Sequence, residues 1–242
     1  MDNTLTRTDS TGRPIVERRH WSFSQADKFY NCPRKFHAYE IAKIIKEPEN
    51  ENMREGFRVH KAMADFIENG TAIPKHYAKW VPERQPGDRV FAEYKMACTF
   101  GLEPCEYFDR KKKVWLRSQA DMLVVNGEHA LSIDWKTGKE PDARYALLPP
   151  NFQLRLTALL IFLHFPQVRN VTSKYVYLNE DTSTAFDMLR EDLREFAPQM
   201  YEIAGVLNRA VVNDHFPPRP SGLCKRHCGV TACEYHGKGL NG

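Results

Sequence analysis

The chain reads as an α/β domain with a mixed central sheet flanked by helices. Three observations predict this. Helical apolar spacing opens the chain, in a first helix from Ser24 and a second over about 52–69. Three extended segments follow, at about 89–100, 114–125 and 128–136, and the last two are joined by Asn126-Gly127, a strong hairpin signal. Then come a helix over about 150–164, a β-rich stretch VTSKYVYL at 171–178, and a long helix from roughly 184 to 212. Helices, three strands, helix, strand, helix is the order of an α/β fold.

Each element has its own signals. Ser24 is placed to cap a helix through QADKFYNCPRKFHAYEI, which Pro33 should kink or break because proline lacks an N–H and clashes with the preceding turn. The second helix ends on Asn69-Gly70, where glycine can take the left-handed conformation. Residues 71–88 hold three prolines and read as a connector. Residues 1–20 read as a flexible arm and 217–242 as a cysteine-rich tail, leaving 21–216 as the main domain.

Composition narrows the function little. The chain has 242 residues, enough for one well-cored domain, and 42% hydrophobic residues is ordinary. No run approaches the ~18 apolar residues of a membrane span, and the polar N-terminal stretch lacks an apolar signal core, so a cytoplasmic protein is expected. The net charge of +4 permits a polyanionic partner without demanding one. Cysteine placement says more. Cys224, Cys228 and Cys233 crowd near the C-terminus, and clustered cysteines in a cytosolic chain point to metal or iron–sulfur ligation before disulfides.

The hairpin organises the chemistry. With Asn126-Gly127 as a two-residue loop, Val125 faces Glu128 and Asp121 pairs with Ser132. Residues two apart share a face, so Asp134 and Lys136 join Asp121, while Ile133 and Trp135 turn to a packed face. Two carboxylates aimed at one point repel unless a cation or proton intervenes, and oxygen donors suit magnesium or manganese. The plain alternative is a surface hairpin with solvated charges. His60 lies on the stripe Met53, Phe57, His60, Ala64, Ile67 and reads either as a core histidine or as a metal ligand. Glu93, in VFAEYKMACTF, is a further acid or else an exposed strand residue.

Together these residues resemble the RecB-like branch of the PD-(D/E)XK nucleases, along most of the chain. SFSQADKFYNCPRKFHAYE is similar to the family's N-terminal signature, GFRVH to its Gly-x-x-x-His motif, and QADMLVV with IDWKTGK to its core motifs. The resemblance implies a restriction-endonuclease-like core and a DNA nuclease working with Mg2+ or Mn2+. It implies metal contacts from His60, Asp121, Asp134 and the Trp135 carbonyl, with Lys136 catalytic. Gln153 matches the glutamine of the family's Gln-x-x-x-Tyr motif and would contact DNA or orient Lys136; Thr157 stands where the tyrosine is expected.

The resemblance extends to the tail. AddB-type nucleases and CRISPR-associated adaptation nucleases hold a [4Fe-4S] cluster on one cysteine before the core and three after it. Cys32, Cys224, Cys228 and Cys233 match that order, with somewhat different spacing. Four thiolates hold zinc equally well, and His227 and His236 offer further zinc ligands. Cys98 and Cys105, in or near the sheet, are expected to be dispensable for such a site. The implied role is exonuclease or end-processing work in DNA recombination, repair or replication, for a phage or bacterium, with helicase or recombinase partners. Arg34, Lys35, Lys139 and the 110–113 run are the candidate phosphate contacts. A catalytically inactive or zinc-stapled binding module is the alternative.

Overall fold

The computed structural model describes residues 20–46, 50–141 and 146–238, in two compact units. The expected arm lies almost wholly outside the described residues. One unit is residues 49–197; the other joins the N-terminal helices, up to residue 48, to residues 198–242.

The larger unit is a six-stranded sheet in the order β2-β1-β3-β4-β5-β6. The strands are β1 (Arg89–Cys98), β2 (Pro104–Cys105), β3 (Leu116–Asn126), β4 (His129–Lys136), β5 (Asn170–Tyr177) and β6 (Thr182–Leu189). All neighbours are antiparallel except β4 and β5, which are parallel, so the sheet is mixed as predicted. A parallel pair needs a crossover. The segment between β4 and β5 supplies it and carries α5 (Phe152–His164), largely apolar and buried along most of its length.

Helix α3 (Glu51–Asn69) packs on the sheet face opposite α5. Asn50 caps its start by accepting from the Met53 N–H, and Gly70 ends it at φ 70°, donating to the Phe66 carbonyl. Its buried stripe is Val59, Met63 and Ile67, set against Met122, Val124, Ile133 and Trp135. That corrects the predicted stripe. Phe57 is 68% exposed, and His60 lies beside the buried line. The connector from 71 to 88 contains a short helix, α4 (Lys75–Ala78).

Two further expectations shift. The long helix begins only at Leu193 (α6, Leu193–Val212), because residues 182–189 pair with β5 as the edge strand β6. The hairpin loop is Gly127-Glu128, with Gly127 at φ 55° and Asn126 paired to His129. Ser132 therefore faces Leu123, not Asp121. This is a slip of two residues, an even number, so the face assignment survives: Ile133 and Trp135 are buried against α3 and Asp134 lies on the other side.

In the smaller unit, α1 (Phe23–Asn31) starts after Ser22, which holds the extended cap position predicted for Ser24. The break at Pro33 is as expected. Cys32 is extended at φ −163° and ψ 109°, the conformation a following proline favours, and α2 (Pro33–Phe36) begins again at Pro33 before a π-turn at His37–Ile41. Phe29, Phe36 and Leu207 form its core with Phe216 packed against them. Among the described residues, no helix is long and apolar enough to cross a membrane.

Candidate active site

The centre of the site is an irregularity in β1. Phe91 and Tyr94, three residues apart, both reach the Phe165 ring, at 6.0 and 5.7 Å. In a regular strand they would point to opposite faces. The flip occurs at Glu93, whose φ of 49° is the left-handed region that a glutamate adopts only under constraint. Glu93 is thereby aimed at Asp121 on β3 and His60 on α3. One ligand atom from each of His60, Glu93 and Asp121 lies within 4.8 Å of the others. The His60 Nδ1 is 3.4 Å from Asp121 Oδ1 and 4.0 Å from Glu93 Oε1.

The β3–β4 ladder ends at Met122–Ile133, and the next positions in that register are Asp121 and Asp134. Asp121 Oδ2 accepts the Trp135 N–H at 2.7 Å instead, so Trp135 meets the site through its amide. Asp134 stands beside the His60–Glu93–Asp121 set. Lys136 Nζ is 2.7 Å from its Oδ1, and Gln153 Nε2 donates to its Oδ2 at 2.6 Å.

Tyr175 completes this arrangement and was missed by the sequence reading. It sits opposite Asp134 in the parallel pair, donates to Gln153 Oε1 at 3.2 Å, and lies under Lys136 Nζ, 5.3 Å from its ring centroid. Only the β4–β5 register brings it there, and no spacing in the sequence reveals that register. Thr157 faces elsewhere, its hydroxyl 2.8 Å from that of Ser118.

The electrostatics are those of crowded anions. Burial pushes the Glu93 carboxyl up, and the Asp121 charge pushes it further. Burial lowers His60, but its hydrogen bond to Asp121 and the charges of Asp121, Asp134 and Glu93 raise it above its ordinary value. Asp134 is pushed up to about 6, chiefly by burial, against the pull of Lys136. This mixed set of carboxylates and one imidazole fits a hard divalent cation, which would relieve the repulsion.

A stability prediction follows from Asp134. Its folded-state pKa is raised, so the protonated carboxyl stabilises the fold. That contribution is complete below about 3.8 and is lost as pH rises through about 6. In chelator-treated protein at pH 7.5, Asp134→Asn should therefore raise stability by on the order of 2 kcal/mol. That is several degrees in Tm, with the gain shrinking as pH falls from 7 to 4. A lower Tm for the variant at pH 7.5 would show that the Lys136 pair outweighs burial.

The smaller unit holds a second donor set. Cys32, Cys224, Cys228 and Cys233 line one hollow together with Arg34, Lys35 and His236. The Arg219 N–H points at Cys32 Sγ at 3.5 Å, and the Ser221 N–H at Cys224 Sγ at 3.4 Å. Gly229 packs closely on Tyr39, leaving no room for an added Cβ. Arg34 is paired with Glu234 at 2.6 Å, Lys35 lies over the Tyr39 ring, and Lys139 is exposed just past β4. Cys98 and Cys105 are buried in the sheet.

Comparison with known proteins identifies the family. The model of the PD-(D/E)XK nuclease superfamily matches residues 20–88 and 71–234. No curated protein matches the chain. The crystal structure of SSO0001 is 13% identical, with a TM-score of 0.49 over 91% of this chain and 88% of that one. A Eubacterium rectale protein described as a "Putative exonuclease" is 10% identical, with a TM-score of 0.46 over 85% of each chain. Both likenesses are too slight to carry an argument. The family match spans most of the chain, and the chain belongs to the PD-(D/E)XK nuclease superfamily.

Proposed function

We propose that this protein is a Mg2+- or Mn2+-dependent deoxyribonuclease of the RecB-like branch, an exonuclease or end-processing enzyme. The observation that carries this is the convergence of His60, Glu93 and Asp121 beside an Asp134–Lys136 pair 2.7 Å apart. A divalent cation bound there supplies Lewis acidity, lowering the pKa of a water and neutralising charge on the phosphodiester. The protein's own groups do the rest. His60, Glu93 and Asp121 offer the ligand atoms, and the resemblance adds Asp134 and the Trp135 carbonyl. Lys136 holds a positive charge where charge grows on the scissile phosphate. Gln153, fixed by Tyr175, keeps Asp134 and hence Lys136 in place.

The four cysteines of the smaller unit are proposed to bind a [4Fe-4S] cluster, with zinc as the alternative occupant. Work in recombination, repair or replication in a bacterial or phage-infected cytoplasm, beside a helicase or recombinase, fits such an enzyme. Arg34, Lys35 and Lys139 are proposed phosphate contacts, in which case DNA affinity falls steeply with salt.

The test is cleavage of end-labelled linear DNA, single- and double-stranded, across a titration of Mg2+ or Mn2+. Cleavage should require the ion and stop with chelator. Binding of DNA with no cleavage at any metal concentration would replace this reading with a binding module that keeps the fold without the chemistry.

A further inference from the structure

Beyond the short strand β2, at the edge of the sheet, a hollow of about 990 Å3 opens between Tyr94 and Lys95 of β1 and the loop from Glu106 to Lys112. Its mouth carries a phenyl ring that folding leaves outside: Phe108 is 68% exposed. The Tyr107 ring stands edge-on to it at 4.8 Å. The Arg117 guanidinium lies 5.1 and 5.3 Å from the Tyr107 and Phe108 centroids, and Lys95 Nζ lies 5.9 Å from both. Arg110, Lys111 and Lys112 follow, exposed. Glu106 and Asp109 also line the hollow, but Asp109 turns inward to accept the Lys111 and Lys112 amides at 2.8 Å, which pins the loop.

We propose that this hollow binds an unpaired stretch of polynucleotide, with a base stacked on Phe108 and the neighbouring phosphates against the basic run. The proposal rests on the nuclease reading for its direction and on local chemistry for its ligand. Aromatic faces interleaved with cations are what a single strand recognises, since stacking needs an exposed base face and a duplex hides its base faces.

Strand β3 runs from beside the aromatic pair to the metal donors. Gln119, opposite Lys95 in the ladder, hydrogen-bonds Glu93. Arg117, two residues before Gln119 on β3, reaches the aromatic pair. From Arg117 to Asp121 is four residues, about 13 Å of strand at ~3.3 Å per residue. A strand seated on Phe108 can thus extend a few nucleotides toward His60, Glu93 and Asp121.

The experiment uses the whole chain in chelator, so that binding is read without cleavage. Fluorescein-labelled oligo(dT) and oligo(U) of about 15 nucleotides, the length such grooves cover, are compared with a duplex of equal length by anisotropy. Phe108→Ala should weaken single-strand binding roughly tenfold or more and leave duplex binding within about twofold. Phe108→Trp should restore it. Equal losses on both oligonucleotides assign the site to stacking and phosphate alone; a loss on one assigns it to DNA or to RNA. Wild-type affinity in Phe108→Ala, an equal loss on duplex, or no single-strand binding by the wild type overturns the proposal. If the protein cuts no DNA but Phe108→Ala still loses single-strand affinity, the hollow stands and the nuclease reading falls. If it cuts DNA and the variant binds normally, the reverse holds.

Discussion

If the proposed function holds, Lys136→Ala protein should cleave end-labelled DNA roughly 10²–10³-fold more slowly than wild type at saturating Mg2+ or Mn2+, while binding DNA nearly as well. Lys136 is the cation nearest Asp134, at 2.7 Å, and its loss leaves the carboxylates in place but removes positive charge where the scissile phosphate would become more negative. Asp134→Ala should lose as much activity for a different reason. It frees Lys136 and Gln153 from their shared anchor and removes a carboxylate facing the metal donors. His60→Ala should be milder and rescued by more metal, because Glu93 and Asp121 remain. Single-turnover cleavage, with circular dichroism to show that each variant is folded, decides this. Full activity in either Lys136→Ala or Asp134→Ala would remove the assigned chemistry.

The second large effect concerns the smaller unit. Anaerobically purified protein should be brown, with about four iron and four sulfide per chain, the stoichiometry of a [4Fe-4S] cluster. Cys228→Ser should bleach it and lower Tm by roughly 10 °C, the shift that about 3–5 kcal/mol produces in a chain of this size. The physical basis is loop closure. Cys32 and Cys224 are separated by most of the chain, so a shared cofactor restricts the unfolded state strongly. Among the described residues of the cysteine-rich stretch, Leu223 is 54% exposed and Val230 is buried. Cys98→Ala and Cys105→Ala should keep the colour. Burial pushes the Cys98 thiol far up and raises that of Cys105, so neither readily becomes a thiolate. A colourless protein with one zinc keeps the staple and refutes the cluster. Wild-type stability in Cys228→Ser refutes both.

The sequence by itself determined what depends on near neighbours. Proline chemistry dictated the break at Cys32-Pro33, and glycine's access to positive φ dictated the ends at Gly70 and Gly127. The two-residue period of a strand put Ile133 and Trp135 in the core and Asp134 on the other face, and this survived the misplaced loop because a slip of two preserves parity. The motif residues were legible for the same reason: their spacing is local. Tertiary structure alone decided what depends on distant pairing. Residues 182–189 became a strand because β5 offered an edge, overriding their place in a predicted helix. Tyr175 reached Gln153 through the parallel register of β4 and β5. Glu93 turned toward Asp121 and His60 because its backbone is held at a positive φ, which no propensity of glutamate would announce. Local sequence fixes torsions and periodicity, whereas which strand lies beside which is set by burying both faces of one sheet at once, and that sum runs over the whole unit.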